Sequence, residues 1–159
     1  MLTRKLLCAL LVSFLALPLL LAQSEPYGTP VTADVAKKVA AAAIAEAKKN
    51  NFTMAIAIVD PNGFLVYFEK MDNTQNGSVN VAQDKARSAA LFKRPTKAFQ
   101  DGLAAGGEGW RLLQLQGAVP IDGGLPLIVA GKVIGAVGAS GGTSAQDGLV
   151  AKAGADSIK

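Results

Sequence analysis

The first candidate for chemistry in this chain is a glycine loop, Ser140-Gly141-Gly142-Thr143. It follows an apolar run and precedes a predicted helix, because Thr143 and Gln146 have the spacing of a capping box. Asp147 would lie in the first helical turn, where a negative charge is favourable. A glycine loop that enters a helix gathers unpaired backbone N–H groups, and such groups bind anions. The sequence therefore predicts a backbone anion site at this loop.

A structural role explains the same glycines equally well. A strand that turns sharply into a helix needs residues that tolerate positive φ, whether or not a ligand binds. The loop lacks the Gly-Lys-Ser/Thr of a P-loop, and no G-x-G-x-x-G stands between a strand and a helix. The anion site and the purely structural turn both stay open, and a nucleotide site is not indicated.

The side chains available for other chemistry are restricted. The chain has no histidine and a single cysteine, Cys8. The lack of histidine excludes Ser-His-Asp and Cys-His catalysis, imidazole zinc sites and a histidine-ligated haem.

The N-terminus has the pattern of a secretory signal peptide at residues 1–22. Arg4 and Lys5 precede a long apolar block, and Ala22 ends an acceptable cleavage site. A retained membrane anchor is the alternative, although the block is somewhat short for a membrane span. Cleavage would remove Cys8 and would leave a periplasmic or secreted protein without cysteine.

The rest of the chain is expected to form one domain. Residues 23–31 predict an extended leader, and residues 32–159 have the length of an ordinary domain. Loss of the signal peptide leaves 14 basic residues against 12 acidic ones, a net charge of +2. Because the basic residues are scattered, nucleic acid is not an expected partner, and no membrane contact is expected after cleavage.

Two β-hairpins are predicted from short apolar runs. Residues 54–59 and 64–70 flank the strong turn Asp60-Pro61-Asn62-Gly63. Residues 125–130 and 133–139 flank a Gly-Lys turn.

The remaining elements are four helices and one strand. Thr32 is a predicted N-cap of the first helix, and residues 110–115 are a predicted strand. The other helices are expected at residues 79–92, 96–103 and 143–158. Strands joined by tight turns indicate an antiparallel sheet covered by helices, which is an α/β/α sandwich of the α+β class.

Three sequence motifs occur in a fixed order: AIVDPNGFLVYFEKMD, ARSAALFKRPT and GGLPLIVAGKVIGAVGASGGTSAQD. Together they resemble the GlcG/HbpS-like haem-binding family, which includes the C-terminal domain of the PduO proteins. The resemblance covers roughly residues 32–158. It implies a profilin-like α/β/α sandwich with a five-stranded antiparallel sheet, a homo-oligomer, and binding of haem or a related tetrapyrrole.

The resemblance also implies roles for individual residues. Lys93, Arg94 and Thr96 would meet the haem propionates, together with the glycine loop as a backbone anion site. Without histidine, the iron would be bound by Tyr67, Met71, a lysine, a hydroxyl such as that of Thr96, or water. Tyr67 as a strand aromatic and Met71 as a filler are the plain alternatives. The two basic residues also suit the helix dipole.

Two other functions stay open beside haem binding. An enzyme acting on a small hydroxy acid such as glycolate would use Arg94 as a carboxylate clamp. Its candidate bases are Asp60, Glu69, Asp72, Asp122 and Asp147. A homo-oligomeric module without a ligand is the third possibility, because alanine and valine faces also pack against another subunit.

Overall fold

The structure is a computed structural model that describes residues 25–159, so the predicted signal peptide lies outside the described residues. Four helices, four strands and one 3₁₀ helix follow one another in the described part. They are α1 (Ala33–Lys49), β1 (Ala55–Val59), β2 (Leu65–Lys70), α2 (Ser78–Phe92), α3 (Thr96–Ala104), the 3₁₀ helix (Gly107–Gln114), β3 (Gly124–Val129), β4 (Lys132–Ser140) and α4 (Ser144–Asp156).

The strands form one antiparallel sheet in the order β2-β1-β4-β3. Helices α1 and α4 cover one face of this sheet, and α2 covers the other. The α+β class and the antiparallel sheet are therefore confirmed. The order also places β2 and β3 at opposite edges, because β1 and β4 pair in the centre.

The predicted number of strands was wrong, since the sheet has four strands and not five. The expected fifth strand, residues 110–115, belongs mostly to the 3₁₀ helix. Gly106 and Gly107 both have positive φ, which reverses the chain after α3. The segment then packs back on α3, where a Cβ on Gly109 would lie 1.8 Å from the Gly102 carbonyl oxygen. This close backbone contact favours the 3₁₀ helix over a place at the sheet edge.

The two faces of β1 explain how the layers pack. Met54, Ile56 and Ile58 belong to the core beneath α1 and α4, whereas Ala55, Ala57 and Val59 contact the alanines of α2. The side chains of β1 therefore alternate between the two faces of the sheet. Small side chains on the second face allow α2 to approach the sheet closely.

The segment before α1 runs extended along β4. Strand β1 ends opposite Ala136, so the first residues of β4 have a free side there. The Gly28 N–H donates to the Val133 carbonyl at 2.9 Å, and the Val31 N–H donates to the Ile134 carbonyl at 2.7 Å. The Val133 N–H in turn donates to the Pro26 carbonyl at 2.9 Å. The leader therefore satisfies backbone groups that β1 leaves unpaired.

Candidate functional site

The glycine loop joins β4 to α4 with the capping box that the sequence predicts. The Gln146 N–H donates to the Thr143 hydroxyl at 3.4 Å, and the Thr143 N–H donates to the Gln146 side-chain oxygen at 2.9 Å. The Gly142 N–H donates to the Asp147 carboxylate at 3.0 Å. The amides of Gly142 and Thr143 are thus already bonded inside the chain. An external anion would have to displace these partners.

The other two loop residues also have structural contacts. The Ser140 hydroxyl is buried and donates to the Ser78 hydroxyl at 3.1 Å. A Cβ on Gly141 would lie 2.0 Å from the Thr53 carbonyl oxygen, so only glycine fits the close approach of the backbone. These contacts favour the structural interpretation of the loop.

Asp147 belongs to a buried ion pair that sequence reasoning missed. The Lys85 ammonium lies 2.7 Å from the Asp147 carboxylate and 3.2 Å from the Ala139 carbonyl oxygen. The exposed fractions are 0% for Lys85 and 3% for Asp147. Burial raises the pKa of the Asp147 carboxyl above its usual range, and the hydrogen bonds from Lys85 and Gly142 oppose this effect. The sequence did contain a sign of this ion pair, because Lys85 is a charged residue on the alanine-rich buried face of α2.

Residues 93–96, the KRPT segment, lie partly at the surface and partly in the core. Lys93 ends α2 in the left-handed conformation, with φ of 51°, and its ammonium lies 5.0 Å from the centre of the Tyr27 ring. Arg94 is exposed and stacks 5.6 Å from the centre of the Phe99 ring. Thr96 is fully buried, and its hydroxyl accepts from the Gly124 N–H at 2.9 Å. Thr96 therefore fixes the start of β3 and has no surface to offer a ligand.

Lys93 lines a cleft of about 200 Å³ along the free edge of β3, which we call the β3-edge cleft. Its lining residues are Lys93, Pro95, Leu125, Pro126, Ile128, Lys152, Ala155, Asp156 and Lys159. Lys152 and Lys159 both form ion pairs with Asp156. Three ammonium groups and one carboxylate thus surround an apolar strand edge. Lys152 and Lys159 could not be recognised from the sequence, because only the packing of α4 against β3 brings them to Lys93.

A second cleft, of about 320 Å³, lies where β2 ends, and we call it the β2-end cleft. It is lined by Lys48, Glu69, Lys70, Met71 and Asp72. Near it, the Tyr67 hydroxyl donates to the Glu69 carboxylate at 3.1 Å, and this bond raises the pKa of the Tyr67 phenol. A phenolate ligand would have to give up that bond.

The structure therefore does not bring all the predicted site residues together. Tyr67 and Met71 lie on or beside β2, whereas Lys93 lies at the edge formed by β3, across the sheet. A single monomeric site that contains all three is excluded by the strand order.

The candidate bases mostly have structural partners. The Asp60 carboxylate accepts from the N–H groups of Asn62 and Phe64, and that of Asp122 accepts from the Gly123 N–H. Within residues 25–159, no three His, Cys, Asp or Glu side chains are grouped so that they could hold a metal ion. In the same range, no helix has the length and apolar character needed to cross a bilayer.

Comparisons with known proteins agree with this fold. Residues 31–156 match the family described as "Haem degrading protein HbpS-like". Protein GlcG of Escherichia coli K12 is 38% identical over 106 residues, which are 67% of this chain and 78% of that protein. The chain therefore belongs to the HbpS-like family, which confirms the resemblance seen in the motifs.

Two solved structures show the same likeness. A double mutant of HbpS from Streptomyces reticuli superposes with a TM-score of 0.76 at 28% identity, over 83% of this chain and 89% of that chain. A complex described as PduOC:heme superposes with a TM-score of 0.74 at 26% identity, over 82% of this chain and 96% of that chain. The second of these structures contains haem by its own description.

Proposed function

We propose that this protein is exported and binds haem or a related tetrapyrrole non-covalently in the β3-edge cleft. The observation that carries the proposal is the combination, in one cleft, of an apolar strand edge with three lysine ammonium groups. Membership of the HbpS-like family and the likeness to a haem complex support it.

The cleft residues match the two chemical parts of haem. Leu125, Pro126 and Ile128 would contact the apolar ring. Lys93, Lys152 and Lys159 would pair with the propionate carboxylates. Because the cleft measures about 200 Å³, which is less than a pocket that encloses a ligand, it would cover only part of the macrocycle.

The iron would lack a strong protein ligand in this cleft. Among the described residues that line it there is no Tyr, Met or Cys side chain, and Thr96 is buried and does not line it. Water or a lysine amine would complete the coordination. When bound, haem would supply an iron centre open to small molecules.

The β2-end cleft fits the same ligand less well. Glu69 and Asp72 face it beside Lys48 and Lys70, so its charges are mixed. Carboxylates there repel the propionates of an anionic tetrapyrrole. Its larger volume therefore does not make it the preferred site.

Export is the part of the proposal that rests on the sequence alone. Residues 1–22 have the charged, apolar and small-residue order of a signal peptide. We expect the protein recovered from the periplasm or the medium to begin at Gln23. N-terminal sequencing of that material decides the matter, and an intact Met1 would contradict export by cleavage.

A haem titration followed by the Soret band tests the binding proposal. We expect a saturable shift for the wild type, and about tenfold weaker binding for the triple variant Lys93→Gln, Lys152→Gln, Lys159→Gln. The estimate assumes that each exposed pair with a propionate contributes about 0.2–1 kcal/mol.

A matched control removes the same charge elsewhere. Lys37, Lys38 and Lys49 are exposed on α1, and their change to Gln should leave haem affinity within about twofold of the wild type. Equal losses in both triple variants would show that overall charge, and not the cleft, attracts haem. No saturable shift in the wild type at micromolar haem would refute the proposed function.

A further inference from the structure

Tyr27 ties the extended leader to the end of α2. Its hydroxyl lies 3.1 Å from the Ala90 carbonyl oxygen and 3.0 Å from the Leu91 carbonyl oxygen, so it donates to the last turn of the helix. Next to it, Gly28 is hydrogen-bonded to Val133 of β4. The leader is thus held at two points, one on the sheet and one on α2.

The Tyr27 ring also holds a cation of the β3-edge cleft. The Lys93 ammonium lies 5.0 Å from the ring centre, within the range of a cation–π interaction. Within the described range, the three cleft lysines differ in their partners. Lys152 and Lys159 share the carboxylate of Asp156, whereas Lys93 forms no ion pair with a described carboxylate. The Lys93 ammonium is therefore open to pairing with an anionic ligand.

A lysine without such support would sample many positions. Its ammonium sits on a flexible four-carbon stem, and ordering that stem on binding costs conformational entropy. A ring that already holds the ammonium near the cleft lowers this cost while leaving other N–H donors free. The Tyr27 ring is well suited to this role because the leader and α2 fix it.

We propose that Tyr27 is a positioning residue for the ligand site, which holds Lys93 ready to pair with a ligand carboxylate. This inference rests on the proposed function and assigns a binding role to the leader that precedes α1. A lysine positioned in this way favours an anionic tetrapyrrole that carries free carboxylates.

Haem titrations of Tyr27 variants test the inference. We expect Tyr27→Ala to weaken haem binding about two- to fivefold, which corresponds to a cation–π interaction of about 0.5–1 kcal/mol. Tyr27→Phe keeps the ring and the leader contact with β4 but loses the hydroxyl bonds to α2, so it should lose less affinity than Tyr27→Ala. Thermal unfolding of each variant verifies that it is folded at the titration temperature. Wild-type affinity in folded Tyr27→Ala would overturn the inference.

Two further readouts separate positioning from a general loss of structure. In a Lys93→Gln background, Tyr27→Ala should cause no additional loss of affinity. With haem dimethyl ester, which lacks free carboxylates, Tyr27→Ala should bind as well as the wild type. A loss that persists in the Lys93→Gln background, or with the ester, would contradict a role through Lys93.

A measurement without haem keeps this inference distinct from the proposed function. The Tyr27 ring should shift the NMR signals of the Lys93 side-chain methylenes in wild type and Tyr27→Phe, but not in Tyr27→Ala. If the wild type binds no haem while the shift is present, the proposed function fails and the positioning contact stands. If the shift is absent, the positioning role is refuted whatever the titrations show.

Discussion

Changing Asp147 to asparagine is expected to lower the free energy of unfolding by about 3–5 kcal/mol. The substitution keeps the size of the side chain but removes its charge, so the Lys85 ammonium would remain buried without a counter-ion. It also weakens the bond from the Gly142 N–H that fixes the glycine loop. Urea unfolding followed by circular dichroism measures the change as a shift in midpoint.

The matched control is Asp156→Asn, which also removes a carboxylate paired with lysine. Asp156 lies at the surface between Lys152 and Lys159, so its loss should cost less than about 1 kcal/mol. Adding Lys85→Met to Asp147→Asn should recover part of the stability, because no charge is then left buried. A loss below about 1 kcal/mol for Asp147→Asn would show that the buried pair is dispensable.

Changing Gly138 to alanine is expected to cost about 2–3 kcal/mol, by overpacking between β4 and α2. A Cβ at this position would lie 2.0 Å from the Ala82 carbonyl oxygen and 2.6 Å from the Ala86 nitrogen. Both are backbone atoms of α2, so neither can move aside by a rotamer change. The helix would have to lift from the sheet and lose contact with the alanine-rich core.

Gly77→Ala provides the control for this second prediction. Gly77 precedes α2 in a helical conformation, and an added Cβ there would have no atom within 4 Å. Its effect on stability should therefore be below about 1 kcal/mol. Thermal unfolding of both variants compares them directly, and equal melting temperatures would contradict the close packing of α2 on β4.

Much of the fold was predictable because local patterns and tertiary packing agree. Larger and smaller apolar side chains mostly alternate in residues 54–59 and occupy the two faces of β1. The Thr143 capping box marks the start of α4. The strand predicted at residues 110–115 was wrong because the apolar positions there do not alternate clearly. The glycines around this segment also allow the chain to fold back on α3. The contact between Gly102 and Gly109 determines the conformation of this segment, and no local sequence pattern reveals that contact.

The candidate site was predictable only in part, because its geometry depends on strand order. The sequence gives the hairpins but not the pairing of β1 with β4, which separates Tyr67 and Met71 from Lys93. The partners of the glycine loop were hidden for a similar reason. Asp147 was assigned to the helix dipole, whereas the fold places Lys85 beside it and directs its carboxylate to Gly142.

The most direct test of the proposed site is the location of bound haem by NMR. Ferric haem broadens nearby amide signals, and zinc protoporphyrin serves as the diamagnetic reference. We expect the strongest broadening at Leu125, Lys152 and Lys159, on the β3-edge cleft. Strongest broadening at Met71 and Asp72, on the β2-end cleft, would contradict the proposed site.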